Sequence, residues 1–392
     1  MGPFLMHETQ SHSLVSPRRL ISSDDPMYVR TWLPDEDLNG PHMFRSSFLS
    51  FLTSVVRVVS DRQVWSPTRI AGEFWGILTN PGVQVEIIRL LRRPPFADLV
   101  HNNPRIAVKY LAPYYLLMGL TASERAACFL HHYRRLYATV RRDGLRDLLT
   151  GVVLLHEVVV EDRDRIALTL CSLNAPGDKD MEGELSLNIQ VNGEVVFQLS
   201  FTIVPGSALK TKESEVLLIT RVQGMKNRFT EVNLASKALK CGTPTGTLLI
   251  ALHGIGSAFG VTAIAAVCAA RQNCYREANA ATFRKAYDES FAALGMVQDQ
   301  AGLFRSVISP EETNSRSRSK HKRELKRTVS AHIAQLLFYP KEQDGPAAAR
   351  IWPVQDRKRL SAQPTPVRDQ DSVQGDACVG NSCSGNGGAV TS

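Results

Sequence analysis

Along the chain, apolar residues first recur at helical spacing and later at strand spacing, and the switch falls near Gly151. Phe44, Phe48, Phe51, Leu52, Val55, Val56 and Val59 share one helical face. Further helical pieces are predicted over Ile70 to Leu78, Val83 to Leu91, Ile106 to Met118 and Ser123 to Val140, with Ser123 as the N-cap of the last. Pro81, Pro94, Pro95, Pro104 and Pro113 separate them, because proline breaks the helical ladder. Past Gly151 the runs are short and branched: Val152 to Val160, Arg165 to Leu170, Glu184 to Val191, Val195 to Val204 and Glu215 to Val222. Asn192-Gly193 stands between the third and fourth, and such a pair favours a tight hairpin because both turn residues need positive φ. The pattern predicts an antiparallel meander of five strands. Helices over Thr230 to Leu239 and Thr247 to Phe259, a strand over Val261 to Cys268 and a helix over Ala278 to Leu294 complete it, with Gly295 as its C-terminal stop.

The fold class expected is α+β: a helical N-terminal region, then a mainly antiparallel sheet flanked by helices. Residues 1–40 and 341–392 are rich in Ser, Pro, Gly and charge without either period and are expected to be disordered. Residues 41–150 form the helical region and 151–340 the sheet-bearing core. The uncharged run Thr247 to Ala270 is long enough to be weighed as a membrane span. Three glycines, His253 and the change to strand-like composition at Val261 favour a buried helix followed by a buried strand. Gly254-Ile-Gly256-Ser-Ala-Phe-Gly260 imitates a dinucleotide fingerprint, but its glycines sit late in a helix, where close packing explains them.

Composition adds little about fold and something about partners. Hydrophobic residues make up 43% of the 392, enough for one or two cores, and the net charge of +8 leans towards acidic partners. Seven cysteines form no CxxC pair and no zinc spacing, so reduced thiols, no structural metal and a cytoplasmic setting are expected. The stretch through Asp25 has no apolar segment of a secretory kind. Lys320, Lys322, Arg323, Lys326 and Arg327 precede an apolar stripe of Leu325, Val329, Ile333, Leu336 and Leu337. A basic amphipathic helix of this sort can meet an anionic membrane surface, here the inner membrane from the cytoplasmic side, or pack on the domain. Nucleic-acid binding is not expected, since no recognised motif or interleaved aromatics accompany the charge. His131, His132 and His156 have no partner carboxylate or cysteine at ligand spacing in the sequence.

Roughly residues 45 to 340, most strongly 150 to 300, resemble the VirK/YbjX family of bacterial proteins. The resemblance rests on Glu182-Gly-Glu-Leu-Ser-Leu187, the strand after Asn192-Gly193, the Val-Gln-Gly224 strand end and Ser236-Lys237. Ala266-Val267, Lys285-Ala-Tyr-Asp288 and Leu294-Gly295 continue it. It departs where the family has a His-Gly-Leu-Arg-Pro loop, for which Lys240-Cys241-Gly242-Thr243-Pro244 stands here. It departs again where the family has a serine and a nearby histidine, for which Cys268 and Gln272 stand. The resemblance implies association with virulence, response to antimicrobial peptides and the cell envelope, without an established biochemical activity. The order of elements is also similar to the acyl-CoA-dependent N-acetyltransferase fold (GNAT-like). That likeness implies CoA or acyl-CoA as ligand, with Gly242, Thr243, Thr245, Gly246 and Thr247 at a helix N-terminus holding its pyrophosphate. It places Tyr287 near the thioester as a general acid and implies an amine or hydroxyl acceptor, such as an envelope component. No Ser/His/Asp signature, P-loop or paired-carboxylate motif is present.

Overall fold

A computed structural model of the chain describes residues 81–161, 163–174, 181–308 and 320–338. The helical pieces expected between Phe44 and Leu78 lie outside them.

Among the described residues, four helices precede the sheet: α1 (Pro81–Leu91), α2 (Phe96–Asn102), α3 (Ala122–Thr139) and α4 (Arg142–Thr150). The long helix α3 begins one residue before the expected cap. Thr121 is its N-cap, accepting the Glu124 N–H at 3.2 Å while the Glu124 carboxylate takes the Thr121 N–H at 2.7 Å. This reciprocal capping box satisfies two otherwise orphaned donors, whereas Ser123 lies within the first turn. The helix expected from Ile106 to Met118 is instead a 3-10 segment, Pro104–Leu111, followed by a loop through Leu120. Pro113 prevents its continuation.

The described residues form one sheet of eight strands in the order β1-β2-β3-β4-β5-β6-β8-β7. They are β1 (Val152–Val160), β2 (Asp164–Ser172), β3 (Leu185–Val191), β4 (Glu194–Pro205), β5 (Glu215–Gly224), β6 (Ala263–Val267), β7 (Val297–Gln298) and β8 (Leu303–Val307). The five-strand meander is as the alternation predicts, and Asn192 and Gly193 take φ of 53° and 84° in its hairpin. The parallel pairing in this sheet joins β5 to β6. The sequence pattern does not mark β7 and β8, since Val297–Gln298 is too short for a period and Leu303–Val307 carries Arg305 and Ser306.

Two helices connect β5 to β6: α5 (Phe229–Leu239) and α6 (Pro244–Phe259). The uncharged run is therefore a buried helix, a turn at Gly260 and a buried strand. Among the described residues no helix is long and apolar enough to cross a membrane. The glycines of the false dinucleotide motif let two layers approach. A Cβ on Gly254 would lie 2.7 Å from the Lys326 carbonyl oxygen, and one on Gly256 would collide with Ile308. The partner of α6 is α9 (Lys320–Phe338), whose Leu325, Val329, Ile333, Leu336 and Leu337 are all buried.

Between β6 and β7 the chain forms α7 (Ala280–Arg284), a π turn (Lys285–Glu289) and α8 (Ser290–Ala293). The expected single helix thus carries a wide turn in its middle, and Tyr287 sits on it. Such turns insert one residue into the helical ladder and are frequent at functional sites.

Candidate functional site

The sheet has an irregularity where its chemistry gathers. Phe201 pairs with Ile219 and Ser200 with Arg221, so Thr220 is an extra residue on β5. A bulge reverses the side-chain alternation beyond it and re-aims the residues on its far side. Here it turns Arg221 to the face of Ser200 rather than that of Ile219. Pairing between β5 and β6 reaches Ile219 and Ala266, at the same level as the bulge. From Thr220 to Gly224 strand β5 runs on beyond that pairing, and β6 ends at Val267.

Four side chains converge at this opening. Arg221 Nη1 lies 3.2 Å from Glu182 Oε2, and both are largely but not fully buried. The Thr220 hydroxyl donates to the Glu182 carbonyl and thereby fixes that residue beside the bulge. Tyr287 is buried, and burial pushes its hydroxyl pKa far up, with the Glu182 charge adding to the rise. The Arg221 charge and a hydrogen bond with the Val222 backbone act in the opposite sense, which sets the phenol beside β5. Half-buried Cys274 is also in its electrostatic neighbourhood. The phenol is held by stacking on Phe283, centroids 5.7 Å apart, and by contact with Phe291 at 6.3 Å. A tyrosine in this state remains protonated at neutral pH and acts as a donor.

The segment Tyr115 to Met118 bridges the two sides of the opening. The Leu116 N–H donates to the Met181 carbonyl at 3.0 Å, next to Glu182. Beyond the end of β6, the Met118 N–H donates to the Arg271 carbonyl, and the Arg271 guanidinium Nε and Nη2 reach the Met118 carbonyl at 3.1 and 3.0 Å.

The start of α6 packs against the end of the helical segment that carries Tyr287, for a Cβ on Gly246 would lie 3.1 Å from Leu294. Gly242 and Thr243 are exposed or partly so, whereas Thr245 and Thr247 are buried and Gly246 lies between them. The Thr243 hydroxyl accepts the Gly246 N–H at 3.1 Å, and its carbonyl accepts the Thr247 N–H. Pro244 has no N–H to give. The donor this helix start offers to an anion is therefore the Thr245 N–H, beside the positive end of the helix dipole. The sequence shows glycines and threonines there but not that the cap has already used their hydrogen bonds.

A second polar cluster lies deeper. Glu184, just before β3, is 1% exposed and accepts from the Tyr115 hydroxyl at 2.6 Å, the Tyr133 hydroxyl at 2.5 Å and the Asn174 amide at 2.7 Å. Lys109 Nζ stands 3.3 Å from the same carboxylate and donates to Asn174 Oδ1 at 3.0 Å and the Gly183 carbonyl at 2.6 Å. Burial acts to raise the Glu184 pKa, but the Lys109 charge and the hydroxyl donors outweigh it and hold the carboxyl below its ordinary value. His132 is fully buried, and burial lowers its pKa to about 4, so the imidazole is neutral at pH 7. Its Nδ1 accepts the Ile203 N–H at 3.2 Å. Glu184 and Lys109 read as an unremarkable acid and base in sequence; only tertiary contacts between residues more than seventy positions apart reveal them.

The remaining candidates separate from this region. His131 finds a distant carboxylate, Glu215, at 3.1 Å, a partner no local spacing could show. His156 lines a cavity of about 290 Å³ with Val158, Lys240, His321 and Glu324. Lys320, Lys322, Arg323 and Arg327 are exposed on α9 or nearly so and Lys326 is half-buried, while the apolar stripe of that helix is buried. Among the described residues no group of three His, Cys, Asp or Glu side chains is placed to hold a metal.

A family model described as a protein of unknown function (DUF535) matches residues 75–328. No curated protein and no solved structure matches the chain.

Proposed function

The chain belongs to the DUF535 family of proteins of unknown function, and we propose that it is an acyl-CoA-dependent acyltransferase acting at the opening between β5 and β6. One observation carries the reading: the bulge at Thr220, the end of the parallel pairing and the Tyr287 phenol coincide. A strand that runs on past its neighbour presents backbone groups to an extended amide-bearing arm, as in β-strand addition. The strand order, with a parallel pair and α5 and α6 between its members, is similar to the acyl-CoA-dependent N-acetyltransferase arrangement. The Thr245 N–H and the dipole of α6 supply an anion-binding end for the pyrophosphate, with Gly242 and Thr243 beside it. The VirK/YbjX resemblance suggests a cell-envelope component as acceptor.

The residues divide the proton transfers between them. Glu182, oriented by Arg221, takes the proton of the acceptor amine or hydroxyl as the acceptor atom attacks the thioester carbonyl carbon. The carbon–sulfur bond then breaks, and sulfur leaves with its electron pair. Tyr287 donates its hydroxyl proton to that sulfur, giving the free thiol, and recovers a proton by way of solvent as Glu182 gives one up. The products are the acylated acceptor and CoA, so atoms and charge balance.

Positioned acid–base groups contribute on the order of 100-fold or more to such steps. Thiol release from acetyl-CoA in the presence of amine and amino-sugar acceptors is expected for the native protein, and Tyr287→Phe is expected to slow it about 100-fold. Full activity in Tyr287→Phe would remove this residue from the chemistry. Absence of thiol release with every acceptor would count against the reading.

The cationic edge of α9 supports a second, separate role. Because the apolar stripe of α9 is committed to α6, an anionic membrane surface would meet this helix through charge alone.

A further inference from the structure

The cavity of about 290 Å³ beside His156 lies where β1, α5 and α9 meet. In the strand order β1 stands four places from β5, about 19 Å away at a spacing of about 4.8 Å. Sites for small molecules begin near about 300 Å³, so this one suits a small ligand or a headgroup. Each of the three elements shapes it. Leu155 is an extra residue on β1, because Leu154 pairs with Thr169 and His156 already with Leu168. This bulge reverses the alternation, so His156 and Val158 lie on the face of Leu168 rather than that of Thr169. Helix α5 ends at Lys240, in the left-handed region with φ of 52°, which sets Leu239 and Lys240 side by side in the wall. From α9, Leu325 is buried, whereas His321 and Glu324 are exposed, as Lys240 is. The interior is therefore apolar, and the rim is polar and open to solvent.

The polar groups at this rim are mixed in a particular way. Lys240 supplies a compact cation with rotatable donors. Half-buried His156 has its pKa lowered by burial; the His332 charge adds to the fall and Glu324 opposes it. The ring is therefore neutral at pH 7 and carries one N–H to donate. His321 brings a second imidazole at the surface, and Glu324, while ionised, can only accept. Lys322 and Arg323, which follow His321 on α9, are exposed and add positive charge around the entrance. A ligand that satisfies this set has to be an anion that still holds a proton. Sulfate is fully ionised near neutrality and meets Glu324 as a like charge. A phosphate monoester keeps its second proton until about pH 6, so near neutrality part of it is a singly charged anion with a P–OH group. That hydroxyl donates to Glu324, while the remaining oxygens accept from Lys240 and His156. Val158, Leu239 and Leu325 give its carbon portion an apolar surface.

We propose that the cavity between β1, α5 and α9 is a binding site for a phosphate monoester. The ester arrives either as a soluble molecule or as the headgroup of a phospholipid such as phosphatidic acid, drawn in by the cationic edge of α9. This site shares no residue with the proposed transferase site and does not depend on it.

The chemistry is tested by thermal-shift titration of the native full-length chain with glycerol 3-phosphate and, at matched ionic strength, with sulfate. Saturable stabilisation by glycerol 3-phosphate is expected, with none from sulfate. The source is tested by co-sedimentation with phosphatidylcholine vesicles that contain either phosphatidic acid or phosphatidylglycerol, matched in surface charge. Phosphatidylglycerol is a diester without the second proton, so preference for phosphatidic acid assigns the ester to the membrane. Equal sedimentation with both, together with stabilisation by glycerol 3-phosphate, assigns it to a soluble ligand. Lys240→Gln alters an exposed side chain and is expected to weaken either kind of binding about tenfold, through loss of one charge-assisted hydrogen bond. Stabilisation by sulfate as strong as that by glycerol 3-phosphate, or binding unchanged in Lys240→Gln, would each overturn the proposal. So would a native chain that neither responds to glycerol 3-phosphate nor prefers phosphatidic acid.

Discussion

Replacing Lys109 with Met is expected to destabilise the fold by about 3–5 kcal/mol, the penalty for leaving one member of a buried ion pair behind. Glu184 would retain its three neutral donors but lose the cation that stands 3.3 Å from its carboxylate. The Gly183 carbonyl and Asn174 Oδ1 would each lose a donor as well. Adding Glu184→Gln to Lys109→Met removes the stranded charge, so the double variant is expected to recover part of the loss. Urea denaturation of the native chain and both variants measures this directly. A Lys109→Met midpoint within error of the native one would show that Glu184 is held by its hydroxyl and amide donors alone. The cluster also fixes the site, for Tyr115, which donates to Glu184, begins the segment that bridges the opening at Met181 and Arg271.

Acid is expected to weaken the fold, beginning well above the carboxylate range. His132 titrates near 4 in the folded chain because it is buried, against an ordinary value of 6.5. The unfolded chain therefore takes up a proton on His132 as pH falls below about 6.5, while the folded chain does not until about pH 4. The side binding more protons is favoured by acid, so stability is lost across that window, by about 3 kcal/mol in all. Glu184 adds to the loss in the same sense at lower pH. Its folded pKa lies below its ordinary value, so its contribution is present above the carboxylate range and disappears as pH falls through the folded value. His132→Asn keeps an acceptor for the Ile203 N–H and removes the titration. Urea midpoints measured from pH 7 to pH 4.5 should flatten in this variant relative to the native chain. Equal slopes in the two would mean that other groups carry the acid response.

The meander was legible because Leu185, Leu187 and Ile189 alternate with polar residues and Asn192-Gly193 marks the turn. The uncharged run from Thr247 resolved correctly into helix and strand because Gly260 and the β-branched residues after it change the local preference. What escaped depends on register. A one-residue bulge at Thr220 leaves no trace in composition, yet it decides that Arg221 joins Ser200 and Glu182 rather than the apolar face. Alternation of polar and apolar residues also reads as one face wet and one dry. It could not disclose that Ser186, Asn188 and Ser200 are buried as well. Tyr287 is singled out by resemblance alone, and its neighbourhood on β5 comes together only in the folded chain.

The most direct test of the account is a melting series of the full-length chain with acetyl-CoA, long-chain acyl-CoAs and free CoA. Ligand at about 100 times its dissociation constant stabilises a folded state by about 2.7 kcal/mol. A saturable rise in melting temperature shared by CoA and its acyl forms is expected, reduced by Thr245→Pro, which removes the free N–H at the start of α6. A melting temperature indifferent to every one of these ligands up to millimolar concentration would contradict it.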